Sequence, residues 1–181
     1  MIPLDDLYYH QYEHAISVMD RSIYLAGQEW CSSDEIEMLS IAALFHDTWF
    51  VIQYEENERF WAKIAQNYLK TVLYPEEKIK IIESLILATI PSREPQNLLE
   101  KIIKDADMDN LWRDDFFDLA ERLKKEREII HNIKLKDPDW NHAALSMIQG
   151  HKFYTSTQMK ERNEKLKINT EKLKKQLLSE S

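Results

Sequence analysis

Apolar positions recur along most of this chain at helical spacing. Leu7, His14, Val18 and Leu25 fall at i, i+7, i+11 and i+18, which is one face of a helix. Leu39, Ala43, His46 and Phe50 form a similar stripe, as do Leu98, Ile102 and Asp105. Clear strand alternation and regular turn signals are absent, so an all-α fold of about seven helices is expected. The first is predicted from Leu4 to Gly27 and the second from an Asp34/Glu37 capping box to near Trp49. The third is predicted from Glu58 to Leu73, the fourth from Pro75 to Pro91, and the fifth from Gln96 to about Leu111. "RDDFFDLAERLKKEREIIH" makes an amphipathic sixth. Asp139 is the expected N-cap of a long last helix that runs from Trp140 to near the end, with a break around Gly150.

Three of these apolar stripes carry polar residues that do not belong in a core. His14 sits in the first. His46 sits in the second, and Asp47 follows Ala43 by four. Asp105 ends the third. Each alone is ordinary: an inward imidazole is commonly hydrogen-bonded in a core, and an aspartate at a helix end is commonly a cap. Together they would need four separate compensations, which one divalent cation could supply at once.

Composition narrows the class. The 181 residues favour one domain, expected over 1–155, with a helical extension over 156–181. The extension has apolar residues at Met159, Leu166 and Leu173. The positions four further on are Asn163, Thr170 and Leu177, a poor coiled-coil pattern that points to packing on the body or on a second subunit of a homodimer. A single cysteine, Cys31, excludes a disulfide framework and a thiolate-rich metal site. The acidic start "MIPLDDLYYHQYEH" does not read as a signal peptide, and no apolar run approaches about 20 residues. The expectation is a cytoplasmic protein with no membrane partner.

The net charge is −8. The last 31 residues hold eight Lys/Arg against four Glu, so the first 150 carry −12. That balance disfavours a nucleic-acid polymer as partner and leaves room for one small phosphate.

Among motifs, "DADMD" (Asp105 to Asp109) spaces acids as a calcium loop does. Asn110 and Phe116 stand where such a loop requires Gly and Glu, so that reading is rejected. His10, four residues before His14, is a candidate second ligand or substrate contact.

His14, His46-Asp47 and Asp105, in that order on successive helices, resemble the HD-domain superfamily of metal-dependent phosphohydrolases. "YHQYEHAISVM" looks like that family's opening histidine pattern. "ALFHDTWFVIQYEENE", "LILATIP", "LLEKIIKDADMDNLW" and "HKFYTSTQMKERNEK" are similar to later segments of small bacterial members, so the resemblance covers nearly the whole chain. It implies an all-helical HD domain in which His14, His46, Asp47 and Asp105 bind one divalent ion (Mn, Fe, Co, Ni, Zn or Mg). It also implies hydrolysis of a phosphomonoester or phosphodiester, such as a nucleotide. No activated Ser or Cys nucleophile is needed, because a metal activates water.

Three departures from the family pattern stand out. Trp49 occupies a usual glycine position, Asn57-Glu58 replaces His-Glu, and no further histidine lies between His46 and Asp105, which favours a single metal. The expected catalytic residues are His46, Asp47 and Glu58. The expected substrate contacts are Trp49, Arg93, Arg59 and His10. The competing reading is an HD-like metal-binding regulator or ligand-binding protein with little or no hydrolase activity.

Overall fold

The computed structural model describes residues 7–47 and 57–179. Eight α-helices and one 3₁₀ turn follow in order: α1 (Tyr12–Gln28), α2 (Ser33–Phe45), α3 (Asn57–Thr71), α4 (Glu76–Ala88), α5 (Leu98–Asp107), the 3₁₀ turn (Met108–Trp112), α6 (Phe116–His131), α7 (Asp137–Gly150) and α8 (Ser156–Ser179). No strand occurs among the described residues. The protein is all-α, and none of these helices is long and apolar enough to cross a membrane.

Two apolar clusters organise the chain. The first joins α1 to α5 through side chains such as Val18, Leu25, Leu39, Ala43, Ile82, Ile86, Ile102 and Ile103, all essentially buried. Within it α1 packs on α2 and α5, α2 on α4, and α3 on α4. The second gathers Leu111, Trp112, Phe116, Ile148 and Leu173 from the 3₁₀ turn, α6, α7 and α8. The long α8 therefore packs against its own chain. Its buried Asn169 donates to the backbone carbonyls of Leu111 (2.9 Å) and Arg113 (3.2 Å), which satisfies a polar group inside the contact.

Several boundaries differ from expectation, each for a visible reason. The chain before Tyr12 does not continue α1, because the Glu126 carboxylate on α6 accepts the backbone N–H groups of Tyr8 (2.9 Å), Tyr9 (2.8 Å) and His10 (3.0 Å). The capping box of α2 is Ser32/Glu35 rather than Asp34/Glu37. Ser32 Oγ accepts from the Glu35 amide, and the Glu35 carboxylate accepts from the Ser32 amide. Asp139 is not a cap; α7 already begins at Asp137, with Pro138 in its first turn. The expected break around Gly150 is present: α7 ends there and α8 starts at Ser156, so the described residues hold eight α-helices where about seven were expected. The link between them is held open because the Asp105 carboxylate accepts the amides of Tyr154 (3.0 Å) and Thr155 (2.7 Å), where a continuous helix would need them.

Candidate metal centre

Four side chains from three helices converge at one end of the first cluster. His14 lies in the first turn of α1 and Asp107 is the last residue of α5. His46 is the C-cap of α2, its amide still bonded to the Ala42 carbonyl at 2.9 Å, and Asp47 follows it. His14, His46, Asp47 and Asp107 each offer one donor atom, and all four atoms lie within 4.8 Å of one another. His46 Nε2 is 3.1 Å from Asp47 Oδ2 and 3.3 Å from Asp107 Oδ1. His14 Nε2 is 3.4 Å from the same two oxygens.

The site is recessed: the His46 side chain is 1% exposed, His14 10%, Asp47 14% and Asp107 19%. His46 Nδ1 donates to the Ala43 carbonyl at 2.6 Å, which fixes the ring so that Nε2 presents its lone pair to the cluster. That Nε2 is buried and makes no hydrogen bond. A buried nitrogen left unsatisfied beside two carboxylate oxygens is the arrangement a cation would complete. Two imidazole nitrogens and two carboxylate oxygens suit a first-row divalent ion such as Mn²⁺, Fe²⁺, Co²⁺, Ni²⁺ or Zn²⁺.

Electrostatics agree. Burial alone would lower the His14 and His46 pKa values, but the Asp47 and Asp107 carboxylates outweigh it and raise both, His46 strongly. Burial would raise the two aspartates, yet the imidazoles hold Asp47 well below the carboxylate range and Asp107 at about 2. Without a cation, protons on the rings take its place.

The site opens into a cleft of about 400 Å³. Tyr9 borders it, its ring 4.9 Å from that of His14, and its hydroxyl accepts from Asn110 Nδ2 at 2.6 Å. Burial, then the Asp107 and Asp47 charges, push the Tyr9 pKa well up, so it stays a neutral phenol. Glu58, half-buried on the rim, is also raised, first by burial and then by the same two aspartates.

The expected site residues fall in different places. His14, His46 and Asp47 come together. Asp105 does not join them: it is fully buried two residues away and faces Tyr154 and Thr155, with Thr155 Oγ1 donating at 2.7 Å. The stripe that suggested it begins at Leu98, which is 41% exposed. A second buried row of α5 runs through Ile103, which is fully buried like Ile102, to Asp107 four residues on. Reading from Ile103 would have found the ligand.

Glu58 and His10 line the cleft, although the His10 ring is bonded to Glu126. Arg93 does not line it. Its guanidinium is held by buried Glu100 at 3.0 Å. Arg59 is exposed and does not line it either. Trp49 and the Asn57 side chain lie outside the described residues. Tyr9, Asn110 and Arg127 line the cleft without having been singled out by sequence.

Residues 11–109 match the model of the HD domain, and the match includes all four donors. The chain belongs to the HD-domain family, whose members are generally metal-dependent hydrolases. Searches among curated proteins and among solved structures gave no match.

Proposed function

We propose that this protein is a metal-dependent hydrolase of a phosphate ester, a small phosphorylated molecule such as a nucleotide. The observation that carries the reading is the unsatisfied His46 Nε2, aimed among two carboxylates and a second imidazole in a recessed, open-mouthed site. His14, His46, Asp47 and Asp107 would hold one divalent ion. Such an ion supplies Lewis acidity: it makes water a better nucleophile at neutral pH and polarises a phosphoryl oxygen.

The chain's own groups have separable roles. His46 is oriented by Ala43, so its ring cannot turn away from the site. Tyr9 keeps its proton and presents a neutral hydroxyl beside the donors. Glu58, with its raised pKa on the rim, is suited to take a proton from attacking water or return one to the departing oxygen. In the overall change a water oxygen bonds to phosphorus, the P–O ester bond breaks, its electron pair leaves with the alcohol oxygen, and a proton passes to that oxygen.

The test is elemental analysis with an activity screen. Purified protein should hold one divalent ion per chain. With Mn²⁺, Co²⁺, Ni²⁺ or Mg²⁺ it should release phosphate or cleave a phosphodiester in a panel of nucleotides and simple esters. Chelation should abolish turnover, as should Asp47→Ala, with helical content near wild type. A metal-loaded protein inert toward the whole panel would overturn the enzymatic reading.

A further inference from the structure

The cleft has two unlike ends. The metal donors, Tyr9 and Glu58 form one. The other is an apolar wall that includes Leu111, Phe116, Leu123, Trp140, Ala144 and Met147, contributed by the 3₁₀ turn, α6 and α7. All of that wall lies beyond residue 109, outside the part of the chain that matches the HD domain. One cavity is lined by both the donors and this wall, so a phosphate held at the donors would have its organic substituent within the same cleft as the wall.

Apart from the site's histidines and aspartates, the charged side chains lining the cleft among the described residues are Glu58 and Arg127. Arg127 stands at the mouth, its guanidinium carbon 5.7 Å from the Trp140 ring centre. A di- or triphosphate chain beside Asp47, Asp107 and Glu58 would find too little positive charge to neutralise it. A single phosphate would not need more than the metal. Trp140 is 9% exposed, and its indole N–H is buried without a partner among the described residues. The cavity volume falls at the small-molecule end of ligand sites.

We infer that the cleft selects monophosphate esters of uncharged aromatic alcohols, with the ring packed against Trp140, Phe116 and Met147. Aromatic faces and a thioether favour such a ring over a polar sugar or a flexible charged group. This rests on the phosphate-ester reading given above, which it narrows from nucleotides to aryl esters, but its test does not depend on turnover.

The probe is 1-naphthylmethylphosphonate, compared with methylphosphonate, each titrated by calorimetry into the Mn²⁺-loaded full chain. The aryl compound should bind at least about tenfold more tightly, because its ring leaves water on binding. Ala144→Glu places a charge in the wall and should reduce that preference at least about tenfold while the metal content stays at one ion per chain. Met147→Asp, at a half-exposed position, should do the same if Ala144→Glu fails to fold. Equal binding of the two phosphonates, or no binding of either, would overturn the assignment. Selective aryl binding with no hydrolysis of naphthyl phosphate under any divalent ion would keep it and overturn the hydrolase reading instead.

Discussion

His46 Nε2 and Asp107 Oδ1 face each other 3.3 Å apart, a buried nitrogen without a hydrogen bond against a carboxylate held near pKa 2. The pair sets how the site responds to pH. In the metal-free protein the raised histidines stabilise the fold below about pH 6.5, their unfolded value, and that contribution is lost as pH rises through their folded values. The lowered aspartates stabilise it above about pH 3.9, and that is lost as pH falls through theirs. Both contributions coexist between about pH 4 and 6.5. A divalent ion must displace the ring protons, so the gain in Tm on adding metal should be larger at pH 8 than at pH 5.5. Thermal melts of chelated and reloaded protein at the two pH values check this. A gain that shrinks toward pH 8 would count against imidazole ligation.

Asp107 and Asp105 should separate cleanly on mutation. Asp107→Ala should lose the metal at near-native helix content. Asp105→Ala should keep the metal but remove the hydrogen bonds to Tyr154 and Thr155. The stability cost is expected at about 3 kcal/mol, the scale of breaking buried charge-assisted bonds. Metal analysis and denaturant melts of the two variants decide it. Loss of metal from Asp105→Ala alone would reverse the assignment.

Glu58→Gln keeps the size of the side chain and removes its proton chemistry. Hydrolysis should fall by about 10²- to 10⁴-fold in kcat, with metal content unchanged. The acidic limb of the pH–rate profile should disappear with it. An unaltered profile would make Glu58 a bystander on the rim.

Glu126→Gln tests the strap formed by Tyr8, Tyr9 and His10. The charge that gathers three amides and the His10 ring is lost, and a destabilisation of about 2–3 kcal/mol is expected. Tyr9 and His10 border the cleft, so KM should rise more than kcat falls. Steady-state kinetics with a denaturant melt read both effects.

Local patterns announced the helical fold and the polar intruders His14, His46 and Asp47, because these depend on spacing within single helices. What stayed hidden depended on distant partners. The break near Gly150 was expected, but its cause and the role of Asp105 were not: a carboxylate on α5 captures amides about fifty positions later, and no periodicity encodes that contact. Asp107 was readable in principle, since Ile103 shares its face, but the stripe through Ile102 led to Asp105, which is buried as expected yet bonded to Tyr154 and Thr155. Arg93 looked free in sequence, and only packing shows Glu100 beneath it. The cleft's apolar wall was invisible because α6 and α7 contribute it jointly.

Glu126 lies more than a hundred residues from the amides it binds. Contacts that distant in sequence carry a large loop-closure cost and tend to form late. During synthesis, the helices that bear the metal donors emerge and can associate before α6 exists to fasten the strap. A nascent chain ending before Glu126 would contain all four donors but lack the carboxylate that gathers the Tyr8, Tyr9 and His10 amides.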